Sequence, residues 1–118
     1  MSERESGRWL FLLSALAAYT AYALYFLRPI WRLFPDHLTP NARDPLFNLY
    51  VLKWGAHQAR EGFPAFWDAN IYFPVRGALA LSDHLLGPAL LTAAFPNPIV
   101  AYNLLLFGSF VASGLATA

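Results

Sequence analysis

Asp44 is the residue in this sequence whose type and position are best suited to chemistry. The Asp44-Pro45 pair is typical of a helix start, and Asn48 follows Asp44 by one turn, which places both polar groups on one helix face. A carboxylate there could accept a proton as a general base, and the neighbouring Arg43 could pair with it or bind a phosphate. Asp44 could also simply cap the helix, because an N-cap carboxylate accepts hydrogen bonds from free backbone N–H groups.

The remaining titratable residues form no recognised catalytic or metal-binding motif. The sequence holds no phosphate-binding loop, dinucleotide fingerprint, HExxH pair or nucleophile elbow. The histidines lack the spacing of metal ligands, and the other aspartates of the central region are typical of turns and helix caps: His37, His57, His84, Asp36, Asp68 and Asp83. With no cysteine there is no disulfide framework and no thiolate metal site. No cofactor can be assigned, and the spacing gives no support for a divalent metal.

The composition indicates a membrane protein of a single domain. Hydrophobic residues make up 58% of the 118 residues, and charged residues only 13%. Soluble domains usually carry about 25% charged residues, so the chain has roughly half of that share. A net charge of +1 gives no reason to expect a nucleic-acid partner.

Two uncharged runs are long enough to cross a bilayer, which takes about 20 apolar residues. We expect residues 1–8 to form a polar head, residues 9–28 a first transmembrane helix and residues 98–118 a second one. The alternative for the first run is a cleaved signal peptide, with a cleavage-like site at Ala21-Tyr22-Ala23. The apolar run continues beyond that site and the head is barely cationic, so we favour an uncleaved helix.

The region between the two runs is expected to be a loop with helices of its own. We predict a loop over residues 29–82 with a helix at about 45–60, then a short juxtamembrane or re-entrant helix over 83–95. The first helix is apolar on nearly every side, which indicates a helix pressed onto a membrane or packed among other helices. The loop carries more positive charges than the head, which by the positive-inside rule favours a cytoplasmic loop.

Three segments in order resemble the N-terminal part of the bacterial GT-C glycosyltransferases, membrane enzymes of many spans that use polyprenyl-phosphate-linked sugars. The segments are DPLFNLYVLKWGAH, FWDANIYFPVRGALALSDHLLGPALL and NPIVAYNLLLFGSFVASGLA. The resemblance implies an all-α membrane protein in the bacterial inner membrane, with the central loop outside the cytoplasm. It implies membrane lipid, a lipid-phosphate sugar donor and further transmembrane helices as partners.

In that class an acidic residue of the first external loop acts as catalytic base or helps to place the sugar donor. Asp44 occupies this position, so the resemblance implies that Asp44 is catalytic. We expect Arg43, Asn48 and His57 to bind substrate. The members of the class have many more spans than this chain, so we expect an N-terminal fragment that is inactive alone.

The alternative function is a non-enzymatic membrane scaffold or subunit. Small residues recur four apart in both apolar runs, which lets helix backbones approach closely. These residues are Ala17, Ala21, Gly108, Ser109, Ala112 and Ser113. Such faces would pack against partner helices without any chemistry.

Overall fold

The computed structural model describes residues 3–31, 34–38 and 43–118, and every regular element in these ranges is a helix. The α-helices of the described ranges are α1 (Glu3–Phe26), α2 (Arg28–Trp31), α3 (Arg43–Arg60), α4 (Leu86–Thr92) and α5 (Pro98–Thr117), and a 3₁₀ turn covers Ala78–Leu81. The prediction of an all-α chain is therefore confirmed for these residues. Arg32 and Asn41, which the sequence places in the connection before α3, lie outside the described residues.

Two of these helices are long and apolar enough to cross a membrane, over Glu5–Phe26 and Pro98–Thr117. They pack against each other, with the rings of Phe26 and Phe110 5.6 Å apart. At Gly114 the packing is so close that an added Cβ would overlap the ring of Tyr19. Both predicted apolar runs thus form helices of spanning length that lie side by side.

The first helix differs from the prediction at its beginning. It starts at Glu3, so the described part of the expected polar head of residues 1–8 is helical. Glu, Arg and Ser are all compatible with a helix, and no Pro separates the head from the apolar run. The helix ends at Phe26, and α2 follows after Leu27. The second spanning-length helix begins at Pro98 as predicted, capped by Asn97, whose side chain accepts hydrogen bonds from the N–H groups of Ile99 and Val100.

A small hydrophobic core joins α3 to the segment that follows it. The core consists of the buried residues Val51, Phe66, Ala69 and Leu79. Two hydrogen bonds fix the segment to α3: Trp54 Nε1 donates to the Phe66 carbonyl over 2.9 Å, and Gln58 Oε1 accepts from the Ala65 N–H over 2.9 Å. The aromatic-rich loop is therefore packed where it leaves the helix, as its composition predicts.

The far part of this loop is not packed. Tyr72 and Phe73 are 70% and 93% exposed. The backbone of Asp68 ends a local turn, in which its N–H donates to the Ala65 carbonyl over 3.0 Å. Its side chain makes no local bond, since Oδ1 accepts a hydrogen bond from the Gly77 N–H over 2.7 Å and so closes the loop at its base. Asn70 likewise bonds to a residue distant in the sequence, because its Oδ1 accepts a hydrogen bond from the Tyr50 hydroxyl.

Helix α4 begins later than the sequence indicates. We predict a cap at Ser82 or Asp83 and an interruption at Gly87-Pro88, but the helix begins at Leu86 and includes both residues. Pro88 lies in the first turn, where a missing N–H leaves no intrahelical bond unmade. Leu85 precedes the helix with φ 45° and cannot cap it with its own side chain, but His84 Nδ1 accepts a hydrogen bond from the Leu86 N–H over 3.2 Å.

Candidate functional site

Asp44 lies in the first turn of α3 and is exposed. The helix begins at Arg43, two residues before Pro45, which would be its first residue if Asp44 were the N-cap, so Asp44 is inside the helix. Its negative charge lies near the positive end of the helix dipole, which is a favourable position for it. Among the described residues, Arg43 forms no ion pair with Asp44.

Tyr102 of α5 joins the two polar residues of α3. The Tyr102 hydroxyl interacts with the side chain of Asn48 and lies in the electrostatic field of the Asp44 carboxylate. Asp44 and Asn48 therefore share one face of α3, as the spacing predicts, and this face is turned toward α5. The Tyr102 phenol lies beside the Asn48 carboxamide, where the beginning of α3 contacts α5, and the Asp44 carboxylate is near enough to act on it electrostatically. We call these three residues the polar triad.

Tyr102 is a site residue that the sequence pattern did not predict. A tyrosine near the end of an apolar run is typical of the aromatic belt at a membrane surface. Its position one turn after the start of α5, between the polar residues Asn97 and Asn103, is the signal that could have identified it.

Asn97 and Asn103 hold the chain before α3 against the start of α5. Asn97 Nδ2 donates to the Pro35 carbonyl over 3.0 Å. Asn103, which is 2% exposed, donates through Nδ2 to the carbonyls of Phe34 and His37 over 2.9 and 3.0 Å. These bonds explain the two asparagines of the third segment, NPIVAYNLLLFGSFVASGLA, as structural residues. They fix the start of α5 that carries Tyr102.

His57 does not belong to the polar triad. It lies several turns beyond Asp44 on α3, roughly 20 Å along the helix axis at 1.5 Å per residue. Its neighbours on the same face are Lys53 one turn before and Arg60 one turn after, and all three are exposed. We call these three residues the basic face. The four predicted site residues are thus divided between the two ends of α3.

The basic face separates two grooves. One has a volume of about 400 Å³ and is lined by Leu46, Leu49, Tyr50, Lys53, Trp54, His57 and Asn70. The other, of about 270 Å³, is lined by Lys53, Ala56, His57, Arg60, Thr92, Phe95, Pro96 and Pro98. Arg60 is held in place by its Nη2, which donates to the Ala93 carbonyl at the end of α4 over 2.7 Å.

Tyr50, in the first of these grooves, is a neutral hydrogen-bond donor. Burial raises the pKa of its hydroxyl above the ordinary value of 10.0, and a hydrogen bond with Asn70 partly opposes this effect. The hydroxyl donates to the side-chain oxygen of Asn70. Tyr50 therefore fixes the loop against α3 and has no charge near neutral pH.

Neither cluster collects ligands for a metal ion. Within the described residues, no group of three His, Asp or Glu side chains lies close enough together to hold one. The chemistry open to the polar triad is proton transfer and hydrogen bonding, and that open to the basic face is binding of an anion.

Comparison of the chain with known protein families, with curated proteins and with solved structures finds no match.

Proposed function

We propose that the chain is the N-terminal membrane part of a GT-C-like glycosyltransferase that takes its sugar from a polyprenyl-phosphate donor. The observation that carries the proposal is that Asp44 and Asn48 share the face of α3 that lies near Tyr102 of α5. Tyr102 lies only one turn inside an apolar helix of spanning length, so the polar triad would lie near the membrane surface. A lipid-linked donor presents its sugar at that level.

In this proposal Asp44 is the general base. The acceptor hydroxyl loses its proton to the Asp44 carboxylate as its oxygen attacks the anomeric carbon of the sugar. The new glycosidic bond forms while the bond from that carbon to the phosphate oxygen breaks, and polyprenyl phosphate leaves. Asn48 and Tyr102 can donate and accept hydrogen bonds, which suits them to orient sugar or acceptor hydroxyl groups. Arg43, exposed beside Asp44, would contact the donor phosphate.

The proposal locates the protein in the bacterial inner membrane, with α1 and α5 as spans and the region between them outside the cytoplasm. The length and hydropathy of the two helices support membrane insertion. Resemblance to the GT-C class supports the external position of the loop, whereas the positive charges of the loop favour the opposite side.

The experiment that tests the function begins with the gene. The proposal expects the reading frame to encode further apolar spans, and the membrane-bound product to transfer sugar from a polyprenyl-phosphate donor. Purified membranes containing this product should form a glycosylated acceptor only when the lipid-linked sugar is added. A stop codon directly after Ala118 with no spans in the same product would contradict the enzyme.

The second candidate function, a non-enzymatic membrane scaffold, is favoured by one observation on α5. Gly108 is exposed, and an added Cβ there would meet no atom within 4 Å. Ser109 and Ala112 beside it are also exposed, so this small-residue face is open to a partner helix. A scaffold would keep its partner when Asp44 is replaced, whereas the enzyme would lose transfer.

A further inference from the structure

We propose that the basic face of α3 binds the phosphate of an anionic membrane phospholipid, and so holds α3 at the bilayer surface. Lys53, His57 and Arg60 follow one another at intervals of four and three residues, which places them on one side of the helix. All three side chains are exposed. The proposal is independent of the polar triad, which lies at the other end of α3.

The charge of Lys53 and Arg60 on this face is not neutralised by an ion pair within the described ranges, although Glu61 directly follows Arg60 in the sequence. Among the described residues, no Asp or Glu forms an ion pair with Lys53, His57 or Arg60. One N–H of Arg60 donates to the Ala93 carbonyl, and that bond orients the guanidinium without reducing its charge. The Lys53 ammonium makes no hydrogen bond to any described residue. The face therefore presents the cationic donors of Lys53 and Arg60, with the His57 imidazole between them, to an anion, and phosphate is the group that such donors bind well.

The walls beside the basic face identify the anion as part of an amphipathic molecule. The groove on one side of the basic face is bordered by Leu46, Leu49 and Trp54, and the groove on the other side by Phe95 and Pro96. A free phosphate ion or a nucleotide would leave these apolar surfaces exposed to water. The chains of a phospholipid would cover them while the headgroup meets the cations, and burial of apolar surface contributes about 25 cal/mol per Å².

The position of the second groove supports a lipid of the surrounding bilayer as the occupant. Pro98 lines this groove and is also the first residue of α5, a helix of spanning length. If α5 crosses the membrane, the groove opens where the helix leaves it, at the level of the headgroups. A few basic residues at this level attract anionic lipids.

The test uses the full 118-residue chain in nanodiscs of equal phosphatidylglycerol and phosphatidylcholine, and counts retained lipids by native mass spectrometry after mild extraction. We expect phosphatidylglycerol to be retained in preference to phosphatidylcholine. Changing Lys53→Gln, His57→Gln and Arg60→Gln together should reduce that preference about tenfold or more, since each cation near an anionic surface contributes substantially. Equal retention of the two lipids by the unchanged chain would overturn the proposal.

Two controls separate this site from general attraction to positive charge. Arg8→Gln with Arg76→Gln removes two exposed cations elsewhere and should leave the preference unchanged, so an equal loss there would overturn a site on α3. Lys53→Gln alone is the variant least able to disturb the fold, and it should lower the preference severalfold. Unchanged preference in a folded Lys53→Gln chain counts against the proposal. If millimolar inorganic phosphate displaces the lipid, the basic face binds free anions and the phospholipid proposal is wrong.

Discussion

Tyr102 of α5 and Asn48 of α3 interact through the phenol hydroxyl and the carboxamide, although 53 other residues separate them in the sequence. This contact links the helix that carries Asp44 to a helix of spanning length. It therefore fixes the distance of the Asp44 carboxylate from the membrane surface in the proposed arrangement. The interacting group of Tyr102 or of Asn48 can be removed by a single substitution that changes the side-chain volume only modestly.

The first prediction concerns this pair. Tyr102→Phe and Asn48→Ala should each lower the free energy of unfolding by about 1 kcal/mol, the usual contribution of one hydrogen bond. Combined, they should cost less than the sum, because the second change finds the bond already broken. Denaturant unfolding in detergent micelles measures all four proteins of the cycle. Strict additivity would show that the two side chains do not stabilise each other.

The second prediction uses the partly buried phenol of Tyr50. Since burial raises its pKa above 10.0, the unfolded chain loses the proton at lower pH than the folded one. The stability that this group contributes is therefore complete below about pH 10 and is lost as the pH rises beyond that value. The Tyr50→Phe variant should therefore lose less stability than the unchanged chain when the pH rises from about 9 to about 11.

The matched control for Tyr50 is Tyr72, whose side chain is 70% exposed. Tyr72→Phe should leave the alkaline loss of stability as it is in the unchanged chain. Thermal unfolding followed by circular dichroism at several pH values makes the comparison. If both variants behave alike, the burial of Tyr50 is not the cause of the pH dependence.

The third prediction concerns the close approach of α3 and α4. A Cβ added to Gly55 would lie 2.6 Å from the Cβ of Ala89, whereas one added to Gly87 would meet no atom within 4 Å. Gly55→Ala should therefore destabilise the fold by about 1–3 kcal/mol, the usual cost of overpacking. Gly87→Ala should be neutral or slightly stabilising, because Ala favours a helix over Gly. A small effect at both positions would mean that the two helices can move apart at little cost.

The fourth prediction concerns the sides of the membrane. The chain has no cysteine, so single cysteines report cleanly. In intact cells an impermeant thiol reagent should label Glu61→Cys and Ala80→Cys, both at exposed positions of the central region. Gly7→Cys, exposed before the apolar part of α1, should be labelled only after the inner membrane is opened. The reverse pattern would locate the central region in the cytoplasm, as its positive charges favour.

The long-range arrangement could be predicted only where the sequence contains a local signal. The uncharged run is preceded by its own N-cap residue, Asn97, and starts with Pro98, which suits the first helical position. Helix α5 therefore begins where expected. Helix α4 has a weak signal, and its start depends on Leu85 in a left-handed conformation that its sequence does not favour. The pairing of Asp44 and Asn48 follows from helix geometry alone. Their position near Tyr102 depends on how α3 packs against α5, and no local pattern encodes that packing.

The final prediction separates chemistry from structure at Asp44. In the membrane polypeptide that carries this chain, Asp44→Asn should reduce sugar transfer by two to four orders of magnitude, the usual contribution of acid–base catalysis. Asn keeps the size and hydrogen-bonding oxygen of Asp but cannot take up the proton. The loss of the charge near the helix N-terminus should cost only about 0.3–1 kcal/mol of stability. The amount of protein in the membrane should therefore stay nearly unchanged.

Asp68→Asn is the matched comparison, because the structure gives Asp68 a bond that Asn can also make. Its Oδ1 accepts from the Gly77 N–H, and the side-chain oxygen of Asn can accept the same bond. Transfer by this variant should remain within a few-fold of the unchanged enzyme. Two chemically identical changes would then differ by orders of magnitude in rate and hardly at all in protein level. Retention of most of the transfer activity by Asp44→Asn would reduce Asp44 to a residue that stabilises the start of α3, and the general-base assignment would be abandoned.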